Sequence, residues 1–264
     1  MRWSAYWHFT NDARWRPIII AEVMRGISDN AIREVATAVK ALAVDERAAH
    51  VILVLSDANA AFALPDDPSR QEILWVEDLS ENKAHELLDH HDFFVRHILN
   101  NNSVANDDAN ALLRSRIFHE IGTRAADLVA AVEKSTVTEY ADESKTSGFS
   151  YDVAKLEEFI TMRLNQARAT VQRLSTLKSS NRETSGAAFS QLLLDLLIAD
   201  ESGVPEGVAD KYLVSPSEAA RIFKGDMHAV LYHFPSQSYK FHSVPHRIAA
   251  QQLHDEGYFS MNHT

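Results

Sequence analysis

Two short apolar runs, Ile18-Ile19-Ile20-Ala21 and Val51-Ile52-Leu53-Val54-Leu55, constrain this chain more than any other feature. The first ends at Glu22-Val23 and the second at Ser56-Asp57. Between them Ser28 can cap a helix from about Asp29 to Val44, with Ile32, Val35, Val39 and Leu42 at core spacing. Strand, amphipathic helix, strand predicts a βαβ unit with both strands buried. In an open parallel sheet the carboxyl ends of the strands line the ligand crevice, which places Glu22 and Ser56 on one rim. The aromatic lead-in Trp3, Tyr6, Trp7, Phe9 and Trp15 predicts a cap over the sheet edge. After the Pro65-Asp66-Asp67-Pro68 turn, Glu72 to Val76 reads as a third strand.

From Ser80 the period becomes helical. Ser80 opens a helix bearing Ala84, Leu87 and Leu88, and a second is expected through Phe94, Ile98 and Leu99. An Asn-rich loop from Asn100 to Asp108 leads to a helix over Ala109 to Ile121, with Gly122 placed as a left-handed C-cap. Residues 138–152 lose periodicity and read as a linker or insertion. Two core helices follow, one carrying Leu156, Phe159, Ile160, Leu164, Ala167, Val171 and Leu174, the other Phe189, Leu192, Leu193, Leu196 and Leu197. Near the end, Ser215-Pro216-Ser217-Glu218 is a capping box that starts a helix through Ile222 and Phe223. Runs over 229–234 and 239–243, joined at Pro235-Ser236-Gln237-Ser238, predict a hairpin, and a helix starts near Pro245.

Composition narrows the classes. The chain has 264 residues, 45% apolar and 24% charged, which is globular material for about two domains. There is no cysteine, so disulfides, thiolate metal sites and cysteine nucleophiles are excluded. The adjacent His90 and His91 do not share a helix face and no zinc spacing occurs, so no metal site is expected. A net charge of -11 argues against nucleic-acid or anionic-membrane binding by the whole surface. Between Lys211 and Arg247, however, five Lys/Arg oppose two Asp/Glu, and Tyr239, Lys240, His242, His246 and Arg247 form a candidate nucleic-acid face. The apolar runs are too short to cross a bilayer and the start lacks a signal-peptide core, so a soluble cytoplasmic or nuclear protein without membrane contact is expected.

The strand ending at Glu22, the strand ending at Ser56, Arg70 and the phrase Leu74-Trp75-Val76-Glu77-Asp78-Leu79-Ser80-Glu81-Asn82-Lys83-Ala84 together resemble the second half of a P-loop ATPase core. The type is the archaeal-ATPase group within the AAA+ and STAND assemblage, including versions carried by Crinkler-type effector proteins. The resemblance implies that the first strand is Walker B with Glu22 as catalytic glutamate, that Ser56 is sensor 1, and that Arg70 is an arginine finger. It also implies a helical lid, with Ile121-Gly122-Thr123-Arg124 similar to its bend and Arg124 as a phosphate-reaching residue. The C-terminal helix–hairpin–helix looks like the winged-helix module that accompanies such cores, and the resemblance to effector proteins implies the host cell as the location of an effector of this type.

Two hydrolytic parts are missing. No Gly-x-x-x-x-Gly-Lys-Ser/Thr occurs, so a phosphate loop is expected upstream of Met1 or on another chain, and Ala21 stands where the family's acidic residue would help hold magnesium. The expectation is therefore an α/β fold: a partial parallel P-loop-type sheet (1–78), an all-helical lid (79–137), a linker or insertion (138–152), and a helical region ending in a winged-helix-like module (153–264). ATP and magnesium are implied by the resemblance, but not binding by this chain alone. The leading expectation is a degenerate module for assembly with a protein partner or a second copy. The alternatives are an ATPase completed by another chain and a winged-helix nucleic-acid binder.

Overall fold

The computed structural model describes residues 2–6, 16–23, 27–55, 57–64, 74–90, 114–139, 148–151, 153–178, 185–213, 215–223 and 227–261. The expected helix through Phe94, the Asn-rich loop, Ser56 and Arg70 lie outside them.

Three strands form the first sheet: β1 (Arg2–Tyr6), β2 (Ile18–Val23) and β3 (His50–Leu55), in the order β1-β2-β3. β2 and β3 are parallel, with Ile18 opposite His50 and Glu22 opposite Val54, and α1 (Asp29–Lys40) makes the crossover between them. Ser28 caps α1 by accepting from the Ala31 N–H at 3.3 Å, and a π turn over Ala41–Asp45 prolongs it. β1 adds to β2 antiparallel, so the start of the aromatic lead-in is an edge strand.

The expectation that both strands are buried is corrected. Leu53, Leu55 and Val23 pack with Ile32 and Val35 of α1 and with Ala60 and Ala63 of a 3-10 segment, Ala58–Ala63. On the opposite face Ile18, Ile52 and Val54 remain 46%, 50% and 41% exposed. Side chains alternate across a strand, so a single covering helix protects only every second residue. The expected third strand is corrected too: residues 74–76 are irregular, with Leu74 and Val76 exposed and Trp75 half-buried.

The middle of the chain is helical. α2 (Glu81–His90), α3 (residues 114–120), α4 (Ala125–Ser135) and the first half of α5 (Val153–Ser175) bury Ala84, Leu88, Ile117, Ile121, Leu128, Val132, Leu156 and Ile160 together. Gly122 ends α3 at φ +93°, its N–H donating to the Ile117 and Phe118 carbonyls, as the sequence indicates. The expected linker contains an antiparallel pair, β4 (Thr136–Glu139) with β5 (Gly148–Tyr151). Four-residue strands are too short to show a pattern above the surrounding polar residues.

The largest core lies in the C-terminal third. α5 lays Ala167, Val171 and Leu174 against Phe189, Leu192, Leu193 and Leu196 of α6 (Gly186–Ala199). The helices close to within a glycine's width, since a Cβ on Gly186 would stand 2.1 Å from the Ser175 carbonyl oxygen. After β6 (Val204–Pro205), α7 (Glu206–Ala209) and α8 (Pro216–Ile222) come β7 (Val230–His233) and β8 (Ser238–Phe241), then α9 (Val244–Asp255) and α10 (Tyr258–Met261). The hairpin is where the sequence places it, and β6 joins it on the β8 side in the order β6-β8-β7. The molecule is thus an α/β architecture with a small parallel strand pair, a large helical region and a small C-terminal antiparallel sheet.

Candidate functional site

The strand-end rim comes first. Glu22 is half-buried at the end of β2, opposite Val54 and on the sheet face that α1 leaves open. Ala21, beside it, is fully buried on the α1 side. At the rim Glu22 therefore stands in register with Val54 of β3 on one side and Arg2 of β1 on the other, and the partner residues Ser56 and Arg70 fall outside the described residues.

Arg124, the candidate phosphate contact, is engaged within the protein. Its Nε–H donates to Asp78 Oδ1 at 3.2 Å, one Nη donates to the His242 carbonyl, and the other lies 3.4 Å from His242 Nδ1. Beside it the Leu79 N–H donates to the Thr123 carbonyl at 3.2 Å. The guanidinium fork thus ties three segments together: residues 74–79, the bend after α3, and the turn between β8 and α9. Such charge-assisted bonds are the stronger class of protein hydrogen bond.

The C-terminal sheet is clasped by the N-terminal part. Asn59, fully buried, accepts from the Tyr232 N–H at 3.2 Å and donates to the Val230 carbonyl at 3.4 Å. β7 is an edge strand, and this side-chain amide satisfies backbone groups that an edge would otherwise leave open. Phe62 packs its ring on Tyr232 and Phe234, with centroids 5.2 and 4.7 Å away. Trp75 meets His233 edge-on at 4.8 Å.

His233 makes polar contacts through both ring nitrogens and was not singled out from sequence. It is 5% exposed; Nε2 lies 2.8 Å from Glu77 Oε1, and Nδ1 lies 2.5 Å from Ser236 Oγ. The Ser236 N–H also points to Nδ1, at 3.3 Å, so Nδ1 acts as the acceptor and Nε2 carries the proton toward Glu77. Carboxylate, imidazole and hydroxyl in line can move a proton. The same bonds also cap the 3-10 turn Phe234–Ser236 and hold segment 74–79 to the hairpin. A His in an i, i+3 relation to a turn Ser is the only sequence signal, and Glu77 stands 156 residues away.

Burial shapes the neighbouring phenols. Loss of hydration pushes the Tyr232 hydroxyl well above its ordinary value, and its bond to Glu206 Oε2 at 2.6 Å adds to this. Tyr239 is raised by burial as well, with Glu206 nearby.

The candidate nucleic-acid residues differ in burial. Tyr239 is 1% and His246 6% exposed, and His246 Nδ1 bonds Ser243 Oγ at 2.7 Å. Arg247 pairs with Asp200 at 2.6 Å. Lys240 and His242 are partly exposed, and His242 is the residue that receives Arg124. His228, His242 and His246 pack ring to ring at 5.2 to 5.6 Å, yet no group of three or more His, Cys, Asp or Glu among the described residues is arranged to hold a metal ion. Among the described residues no helix is long and apolar enough to cross a membrane.

Against known proteins the comparison is brief: no family model, no curated protein and no solved structure matches this chain.

Proposed function

We propose that this chain is a binding module built on an ATPase-like core, acting in assembly and not in ATP turnover. The observation that carries the reading is Arg124: the cation expected to reach phosphate instead bonds Asp78 and His242, joining the helical region to the C-terminal sheet. Glu22 without an adjacent acid, and a sequence without a Gly-Lys-Ser/Thr loop, support the same conclusion, because hydrolysis needs a phosphate cradle and a magnesium site together. What remains of the core is scaffold and surface.

The C-terminal unit is the second half of the proposal. Helix, short strand, two helices and a hairpin whose sheet runs β6-β8-β7 support a winged-helix-like module. Its hairpin and α8 lean on the 3-10 segment through Asn59 and Phe62, so the module serves as a docking part fixed to the core. The partly exposed Lys240 keeps nucleic-acid contact as a second reading. Duplex affinity that falls steeply with salt and is lost on Lys240→Glu would favour it.

Phosphate release from magnesium-ATP tests the proposal. Wild-type chain and Glu22→Gln are expected to show the same background rate. Turnover that Glu22→Gln abolishes would replace the proposal with an ATPase whose phosphate cradle is built from residues within 1–264.

A further inference from the structure

We infer that the joint made by Arg124 is acid-sensitive: protonation of His242 releases it, and with it the contact between residues 74–79 and the turn before α9. This device goes beyond the assembly reading and needs only that Arg124 bonds within the protein.

The chemistry of one nitrogen carries it. A guanidinium has donors only, so the Arg124 Nη that lies 3.4 Å from His242 Nδ1 requires that nitrogen to be an unprotonated acceptor. The other Nη donates to the His242 carbonyl, and Nε donates to Asp78 Oδ1 at 3.2 Å, so the fork is fixed at two further points and cannot turn away. An imidazolium carries a proton on each nitrogen, which would set N–H against N–H and cation against cation. His242 is therefore neutral while the fork is in place, and histidine is the side chain whose charge changes near neutral pH.

The neighbouring rings work in the same direction. His242 packs edge-on against His228 and His246, with centroids 5.2 and 5.6 Å away, and those two rings lie 5.3 Å from each other. They come from three places: the segment before β7, the turn after β8 and the first turn of α9. A second proton in this stack would meet the first at close range, with Arg124 beside both. The charged groups on the packed elements are Glu77 and Asp78 on segment 74–79, Lys240 on β8 and Arg247 on α9. Asp78 is held by Arg124, Glu77 bonds His233, and Arg247 pairs with Asp200.

Opening of the joint thus takes up a proton. A released imidazole titrates near the ordinary value of about 6.5, whereas the closed joint excludes the proton. The closed form is fully favoured above that pH and loses ground as pH falls through it. Between pH 8.0 and 6.0 one such proton raises the open population about fourfold.

The test is amide hydrogen exchange of the full chain at pH 8.0 and 6.0, read by mass spectrometry with each rate divided by the intrinsic chemical rate. Protection of residues 76–80 and 241–244 should fall about fourfold at the lower pH, while peptides from α5 and α6 stay unchanged. His242→Asn puts a neutral acceptor near the place of Nδ1, and should keep the protection seen at pH 8.0 and lose the response to pH. Arg124→Ala, whose joint is already open, should show low protection in both segments at both pH values. Equal wild-type protection at the two pH values overturns the inference, and so does a fourfold fall that survives in His242→Asn or in Arg124→Ala. If His242→Asn disturbs the joint at pH 8.0, wild type and Arg124→Ala decide by themselves. No nucleotide enters the experiment, so the absence of ATP turnover stands or falls separately.

Discussion

Asn59 and Tyr232 meet as two strands would: the Tyr232 N–H donates to the Asn59 side-chain oxygen at 3.2 Å, and the Asn59 amide donates onward to the Val230 carbonyl at 3.4 Å. One side chain from the α/β part thus stands in for the missing neighbour of β7. Replacing Asn59 with alanine leaves two buried backbone groups unpaired and should cost about 1–3 kcal/mol. Asn59→Asp should cost no less, because a carboxylate cannot donate to Val230. Urea unfolding of the three proteins measures both, and a loss below about 0.5 kcal/mol would show that water replaces the amide.

Arg124→Ala should destabilise the chain by about 1.5–3 kcal/mol, the range for hydrogen bonds to charged groups. The damage should be local, with amide exchange accelerating in residues 76–80 and 241–244 before the α5–α6 core. Arg124→Lys should recover little, since one ammonium cannot span Asp78 and the His242 carbonyl together.

Gly122→Ala meets two penalties. Its φ of +93° strains an L side chain, and a Cβ there would stand 2.9 Å from Val244 Cγ2. A loss of about 1–3 kcal/mol is expected from the backbone alone. Gly122→Ala combined with Val244→Ala should relieve the contact and leave the strain, so thermal melts of both variants separate the two.

Alkaline pH should unfold the protein through its buried phenols. Tyr232 and Tyr239 have folded-state values raised above the ordinary value, first by burial. Both are protonated when folded while the unfolded chain releases its protons near pH 10, so their stabilising effect is complete below that pH and is lost as pH rises toward the folded-state values. Tyr212 is raised in the same way, by burial and by its bond to Asp195, so three such protons give a slope of at most about 4 kcal/mol per pH unit. Tyr232→Phe should remove about a third of it, read by urea midpoints between pH 9 and 11.

The long periodic elements were legible in the sequence. α5 and α6 carry enough apolar positions for the helical stripe to stand out, and Ser28, Gly122 and the 229–243 hairpin each have their own local chemistry. Leu74-Trp75-Val76 misled because alternation alone cannot tell which row is buried: Trp75 turns to His233 and its neighbours face solvent. Both apolar runs 18–21 and 51–55 suggested strands covered twice, whereas one helix covers them once. Asn59 and Glu77 were invisible as functional positions, because each acts on a residue more than 150 positions away.

Thermal unfolding in magnesium-ATP tests the central claim most directly. A ligand at a hundredfold excess over its dissociation constant stabilises the native state by about 2.7 kcal/mol. With ATP near 10 mM, a site as weak as about 0.1 mM would register in this way. The account predicts a melting temperature unchanged by magnesium-ATP, in wild type and in Glu22→Gln alike. A saturable, magnesium-dependent rise that Arg124→Ala removes would contradict it, and would return Arg124 to a phosphate.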